Sequence, residues 1–266
     1  MPELPEVETI KRDLEKIVLG KKIIEVRVHN PVVIREPGVS GFKKGLCGAV
    51  IKKVLRRAKL LIFELSNGKS LTAHLKMTGQ FVYPGGKAGS RVAFHLSDGK
   101  ILDFNDQRLF AELRLLPDWH SLKFVQGLGP EPEDLSLQKF KEMLSGKKTK
   151  IKPLLMDQTF ISGIGNLYAS EILFHAKINP ERPANKLNEK EKELLFKAIN
   201  DILNAAIGHA GSSIDDYVRV SGEKGGYVKY HKVYGRAEKP CLVCKTIIKK
   251  IAQGGRGTYF CPRCQK

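Results

Sequence analysis

Acid is what this sequence is short of. Its 266 residues include 28 Asp and Glu against 46 Lys and Arg, a formal net charge of +18 and a pI near 9.7. A soluble enzyme of small neutral metabolites has no need of such self-repulsion, so the balance points to a polyanion as partner. Long apolar runs are also missing: none approaches the ~20 residues that a bilayer span requires. The start, Met-Pro-Glu-Leu-Pro-Glu-Val-Glu, lacks the basic and apolar regions of a secretory leader. A cytoplasmic protein without a membrane partner is expected. There is one Trp, no internal repeat and no low-complexity tract, while 42% hydrophobic residues and a mean hydropathy of −0.24 exclude a wholly disordered chain.

The basic excess is patchy. Lys43 to Lys59 holds seven basic residues and no acid, and Lys239 to Lys266 holds another seven, again with no acid. Charge runs often form solvated faces, but clustering of this kind is also the electrostatic footprint of nucleic-acid binding.

Cysteine is scarce, at five residues, and in a cytosolic chain that argues against a disulfide framework. Four of the five are ordered. Cys241-x-x-Cys244, sixteen residues, then Cys261-x-x-Cys264 is the spacing of a four-thiolate zinc site, with each pair on a tight knuckle and a hairpin between them. One structural Zn2+ is expected there. Cys47 has no such partner and is expected to be a small buried hydrophobe.

Length alone suggests two domains with room for a small third module. Pro5 suits a first helical turn, and Val7, Ile10, Leu14, Ile17 and Val18 follow at helical spacing up to Gly20. From Lys22 to about Leu116 the period becomes two (Ile24/Val26/Val28, Leu71/Ala73/Leu75, Val92/Phe94/Leu96, Ala111/Leu113/Leu115), broken by Ser66-Asn67-Gly68 and Ser97-Asp98-Gly99. This pattern predicts a β-sandwich. After a linker at Gly127–Pro132 the pattern turns helical near Leu137–Leu144, Lys152–Met156 and Asn166–Ala176, then from an Asn188 cap to Ile207. Ser221 to Gly226 is a glycine-rich loop. The fold expected is α+β and multidomain: residues 1–126, an N-terminal helix with a β-sandwich; 127–235, helical, with a functional loop near 217–227; and 236–266, a zinc hairpin.

Pro2 follows the initiator Met, and a small second residue is the usual condition for removing it. That would leave a secondary amine at the head of a helix, with Glu3 and Glu6 beside it. An α-amino group titrates near ~7.7–8.0, so much of it is unprotonated at neutral pH, and the positive helix end favours the neutral form further. Attack by such an amine on a sugar C1′ gives an iminium ion, an electron sink that permits β-elimination. The plainer alternative is that Pro-Glu-x-Pro-Glu is only a helix start with acids that suit the dipole.

Met1-Pro-Glu-Leu-Pro-Glu-Val-Glu8, Arg56-Arg-Ala-Lys59, His74-Leu-Lys-Met-Thr-Gly79, Ile151-Lys-Pro-Leu-Leu-Met-Asp157, Gly163-Ile-Gly-Asn-Leu-Tyr-Ala-Ser-Glu171, Tyr234-Gly-Arg236 and the cysteine pattern together resemble formamidopyrimidine-DNA glycosylases over the whole chain, in order. The resemblance implies a β-sandwich, a helix-two-turn-helix domain and a β-hairpin zinc finger. It implies a bifunctional glycosylase and abasic-site lyase that excises oxidised purines, 8-oxoguanine and formamidopyrimidines, from duplex DNA. A monomer, nucleoid-associated through its DNA, is expected. By resemblance Pro2 is the nucleophile, Glu3 the general acid, Glu6 a second pocket carboxylate and Lys59 an essential lysine. Arg256 grips the phosphates beside the lesion and serves δ-elimination.

DNA contacts are implied for His74, Lys152 and Asn166, the last at a helix start where N–H groups can hold a phosphate. Met77, Arg108 and Phe110 match the trio that fills the gap left by a flipped base. Two departures lie close to that trio: Lys76 stands where the family usually has Gly, and Gln107-Arg108-Leu109-Phe110-Ala111 replaces Pro-Arg-Arg/Lys-Phe-Gly. With Leu109 apolar, reading of the opposite base falls to Arg108. Two alternatives are an endonuclease VIII-like enzyme for oxidised pyrimidines and a zinc-ribbon nucleic-acid-binding protein without catalysis. The N-terminal constellation and Lys59 distinguish the enzyme from the binding module.

Overall fold

Pro5, at the start of the first helix α1 (Leu4–Val18), lacks the N–H that a first turn would leave unpaired, and Val7, Ile10, Leu14 and Val18 bury one face of it completely. The computed structural model describes residues 1–86, 89–214 and 216–266. Among these the chain forms two compact units, Met1–Gln126 with His209–Val228, and Gly127–Gly208 with Lys229–Lys266.

In the first unit α1 is followed by β1 (Ile23–Val28), β2 (Ile34–Glu36), α2 (Val39–Leu46), β3 (Ile51–Arg57), β4 (Leu60–Leu65), β5 (Ser70–His74), β6 (Gln80–Val82), β7 (Ser90–Leu96), β8 (Ile101–Asn105), β9 (Glu112–Leu116) and the short α3 (Lys123–Gln126). The strands make two sheets, β1-β7-β8-β6 and β2-β9-β5-β4-β3, antiparallel except for β2 against β9. Alternating side chains meet between the sheets. Phe63 of β4 packs edge-on to Phe81 of β6 at 5.5 Å, and Phe81 packs against Phe104 of β8 at 5.0 Å.

Helix α2 is not legible in the period-two reading of this stretch. It places Phe42 and Leu46 in the core and leaves Lys43, Lys44 and Cys47 outside. Cys47 is therefore exposed rather than buried, because it ends this helix on its outer side. The run from Lys43 to Lys59 is likewise not one solvated face: Lys43, Lys44, Lys52 and Lys53 point outward, but Lys59 is buried.

The second unit holds α4 (Leu137–Leu144), α5 (Ile151–Met156), α6 (Asn166–His175), α7 (Glu189–Gly208) and a hairpin of β10 (Lys249–Gln253) and β11 (Arg256–Phe260) turned at Gly254-Gly255. Asn188 caps α7 reciprocally: its Oδ1 accepts the Glu191 N–H at 2.9 Å, and Glu191 accepts the Asn188 N–H at 2.8 Å. Residues 209–228, which the sequence groups with the helical region, pack instead on the first unit, held by bonds to α1 and β6. None of the helices among the described residues is long and apolar enough to cross a membrane.

Candidate active site

The head of the chain is held from two directions by one carboxylate. Glu6 Oε2 accepts the Glu3 N–H at 2.9 Å, closing the first turn of α1, while Glu6 Oε1 accepts the Ser212 N–H at 2.8 Å. Glu3 and Glu6 are 5% and 3% exposed, and Pro2 is buried beside them. Gly211 cannot carry a side chain here: its φ is +75°, and a Cβ would lie 2.9 Å from Glu6 Oε1.

The rest of the 209–228 segment is tied down nearby. Arg219 makes a two-pronged ion pair with Asp13 of α1 at 3.0 and 2.7 Å, the Tyr83 N–H donates to the Val220 carbonyl, and the Tyr217 hydroxyl donates to the Ala210 carbonyl at 3.0 Å. Burial, reinforced by the Glu6 charge, pushes the Tyr217 phenol above its ordinary range and keeps it a donor. Glu6 thus joins the helix start to the 211–212 turn. With Met1 in place the Pro2 nitrogen is an amide, and only removal of Met1 makes it an amine.

Lys59 sits in the two-residue turn between β3 and β4, after Ala58 in the left-handed region at φ +52°. Arg56 braces that turn. Its Nη1 donates to the Ala58 carbonyl at 3.2 Å and its Nε to Glu8 Oε2 of α1 at 2.9 Å, with the side chain 4% exposed. Burial alone would raise the Glu8 pKa, but Arg56 and Arg12 hold it below the usual value.

His74, at the end of β5, accepts the Lys76 N–H on Nδ1 at 3.1 Å. Burial, with Lys76 beside it, holds its pKa at about 4. The ring is neutral at pH 7 and carries its proton on Nε2, a single donor.

Met77 and Phe110 are exposed large apolar residues, 37% and 52% accessible, and the Arg108 guanidinium lies 4.9 Å over the Phe110 ring. Each apolar tip directly follows a non-glycine residue in left-handed backbone: Lys76 at φ +50° before Met77, and Leu109 at φ +58° before Phe110. Such positions cost roughly 1–2 kcal/mol. At Lys76 an ion pair to Glu112 at 3.1 Å holds the side chain.

In the second unit Lys152 is 1% exposed rather than displayed on a helix surface. Its ammonium donates to Asn166 Oδ1 at 2.6 Å and Thr258 Oγ1 at 2.8 Å, and Asn166 Nδ2 donates to the Gly257 carbonyl at 3.1 Å. The pair therefore ties the starts of α5 and α6 to β11, directly beside the exposed Arg256. Gln158 shapes the turn before α6, accepting the Gly163 N–H and donating to the Ile164 carbonyl.

Glu171 of α6, 1% exposed, accepts the N–H groups of Lys232, Val233 and Tyr234 at 2.8 to 3.0 Å. Burial pushes its pKa up against those three donors. The sulfurs of Cys241, Cys244, Cys261 and Cys264 lie within 4.8 Å of one another, with Cys241 and Cys264 3.9 Å apart and Cys244 and Cys261 3.4 Å apart. Four thiolates around Zn2+ at ~2.3 Å require sulfur separations of about 3.8 Å, so the cluster fits one structural zinc with no position left for catalysis.

Asp106 and Gln158 do not stand out in the sequence as site residues, and Arg56 and Glu171 stand there only as members of motifs, with nothing to say what they bond. Folding sets their distant partners: Arg56 reaches Glu8, Asp106 reaches Thr78, and Glu171 reaches the N–H groups of Lys232, Val233 and Tyr234, while Gln158 closes a local turn.

Comparison with known proteins agrees with this geometry along the whole chain. Residues 1–113 match the family described as formamidopyrimidine-DNA glycosylase N-terminal domain, residues 127–218 the formamidopyrimidine-DNA glycosylase H2TH domain, and residues 238–266 the zinc finger found in FPG and IleRS. The formamidopyrimidine-DNA glycosylase of Pelotomaculum thermopropionicum is 44% identical across 100% of this chain and 99% of its own, and that of Streptococcus pneumoniae serotype 4 is 39% identical with the same coverage.

Among solved structures, the Lactococcus lactis FPG mutant G226P with DNA containing Fapy-dG superimposes with a TM-score of 0.91 at 37% identity, each chain covered in full. The MutM (FPG) protein of Thermus thermophilus gives 0.89 at 37%, over 99% of this chain and 98% of its own. With sandwich, helical region and zinc hairpin matched in one order, the chain belongs to the formamidopyrimidine-DNA glycosylase family of base-excision DNA repair enzymes.

Proposed function

We propose that the protein removes oxidised purines, 8-oxoguanine and formamidopyrimidines, from duplex DNA and cleaves the resulting abasic site. Pro2, freed of Met1, attacks C1′. The C1′–base bond breaks, the base leaves with a proton, and the sugar ring opens as Glu3 protonates its oxygen, leaving an iminium between the proline nitrogen and C1′. Loss of a C2′ proton expels the 3′ phosphate, a second elimination expels the 5′ phosphate, and hydrolysis of the imine returns Pro2. Glu6 fixes the relation of Pro2 to Glu3, and Lys59 is the essential cation of this unit. His74, Asn166 and Arg256 serve the backbone contacts, with the buried Lys152 acting through Asn166 and the hairpin beside Arg256, and Arg256 also serves δ-elimination. Met77, Arg108 and Phe110 fill the gap left by the flipped base. The working modules are residues 1–126 together with the 209–228 segment that packs on them, the rest of 127–235, and 236–266, and the enzyme acts as a monomer in the cytoplasm, on the nucleoid.

The observation that carries this reading is the N-terminal arrangement: a buried proline and carboxylate at a helix start, pinned by a second carboxylate to a glycine turn. It is also what separates an enzyme from a zinc-ribbon binding protein. The test is borohydride reduction on abasic-site DNA, comparing chains with Met1 removed and retained. Covalent trapping should occur only with the processed chain, and equal trapping by both would refute Pro2 as nucleophile.

A further inference from the structure

The two loops that carry Met77 and Phe110 are separated by some thirty residues of sequence, yet both are fastened to one buried side chain. Asp106 is 1% exposed. Its Oδ1 accepts the hydroxyl of Thr78, the residue after Met77, and the N–H of Arg108 at 3.3 Å. Its Oδ2 accepts the N–H of Ala111, the residue after Phe110, at 2.7 Å. The Thr78 hydroxyl in turn accepts the Arg108 N–H at 3.1 Å, and the Asp106 carbonyl accepts from Arg91 Nε at 2.9 Å.

Packing repeats the connection. Gly79 closes its own turn by donating to the Leu75 carbonyl at 2.9 Å, and a Cβ on it would lie 2.6 Å from that oxygen and 3.0 Å from the Ala111 Cβ. Both exposed tips thus stand on left-handed residues whose flanks are held from beneath by the same carboxylate and hydroxyl.

We infer that Asp106, with Thr78, is a positioning residue that locks the Met77 loop and the Arg108–Phe110 loop into one insertion unit, so that the three side chains enter DNA together. The inference rests on the gap-filling reading of Met77, Arg108 and Phe110 proposed above. A carboxylate suits the task because it accepts from a hydroxyl and two N–H groups at once. An amide in its place offers one oxygen and turns an NH2 toward a donor.

The test is single-turnover excision of 8-oxoguanine from a duplex by Asp106→Asn, Thr78→Val, Met77→Ala and Phe110→Ala, with Asp106→Asn also combined with Phe110→Ala. The fluorescence of 2-aminopurine placed opposite the lesion reports insertion directly. Because misplacement by about an ångström costs on the order of a hundredfold, Asp106→Asn should slow excision about ten- to a hundredfold and suppress the 2-aminopurine signal. Added to Phe110→Ala, it should slow excision much less than it does alone, because both changes disable the same insertion.

A fully multiplicative double variant, or an Asp106→Asn enzyme that inserts normally, would overturn the inference while leaving the gap-filling reading intact. Unchanged excision by Met77→Ala and Phe110→Ala would overturn that reading instead. If Asp106→Asn does not fold, Thr78→Val carries the same comparison, since it removes the hydroxyl that joins the loops and keeps the side-chain volume.

Discussion

Replacing Glu6 by Gln separates a carboxylate that works by position from one that works by titration. Glu6 accepts from two backbone N–H groups, Glu3 at 2.9 Å and Ser212 at 2.8 Å. A carboxylate satisfies both, whereas Gln satisfies one and faces the other with its own N–H. A buried donor left without an acceptor costs roughly 1–3 kcal/mol, and a lost helix cap costs on a similar scale. A loss of about 2 kcal/mol corresponds to a fall of roughly 4–8 °C in the melting temperature of a unit of this size. Glu6→Gln should therefore melt several degrees lower and trap poorly on abasic DNA at every pH tested, and Glu6→Ala should fall further. Scanning calorimetry and borohydride trapping from pH 6 to 8 are the assays. A Glu6→Gln protein that melts within a degree of the parent while the pH profile of trapping changes shape would refute the reasoning and make Glu6 a proton carrier.

Removing zinc should unfold the hairpin and displace Arg256: structural zinc is worth on the order of 10–16 kcal/mol in small zinc-finger peptides, so Cys244→Ala should lose both the metal and DNA binding, checked by metal analysis and a binding titration. Acid should destabilise the protein through its neutral histidines. His74 and His231 are held at about 4 in the folded chain against an ordinary 6.5 when unfolded, so their stabilisation is intact above pH 6.5 and lost as pH falls from 6.5 to 4, by up to about 3 kcal/mol each at 1.36 kcal/mol per pKa unit; His231→Phe should flatten urea-unfolding stability over that range. Arg108→Ala should slow 8-oxoguanine excision opposite cytosine more than opposite adenine, because a guanidinium only donates and cytosine offers O2 and N3 as acceptors; an equal loss in single-turnover assays would make Arg108 a wedge rather than a reader.

Local patterns are legible in the sequence because their physics is local. A stripe at helical spacing after Pro5 has to bury one face, alternating residues have to form sheets, and Asn188 with Glu191 can cap only the helix that follows them. Four cysteines in two knuckles announce a metal because ligand spacing is itself the chemistry. The family resemblance points to Pro2, Glu3, Lys59 and the gap-filling residues for the same reason, since these lie in short contiguous motifs. Helix α2 escapes the sequence reading because a single helix among strands leaves too short a stripe to stand out.

Tertiary structure alone decided which side chains face backbone from another part of the chain. Residues 209–228 read as part of the helical region but pack on the first unit, because Glu6 and Asp13 of α1 present carboxylates to Ser212 and Arg219, some two hundred residues away. Lys152 reads as a phosphate contact and is buried among Asn166, Thr258 and Gly257. Asp106 carries no signal at all, since its meaning lies in two loops that folding brings onto one carboxylate. Periodicity and spacing report what a residue does for its neighbours in sequence. A buried polar group is satisfied by whatever donor the fold delivers, and that donor is set by the packing of the whole unit.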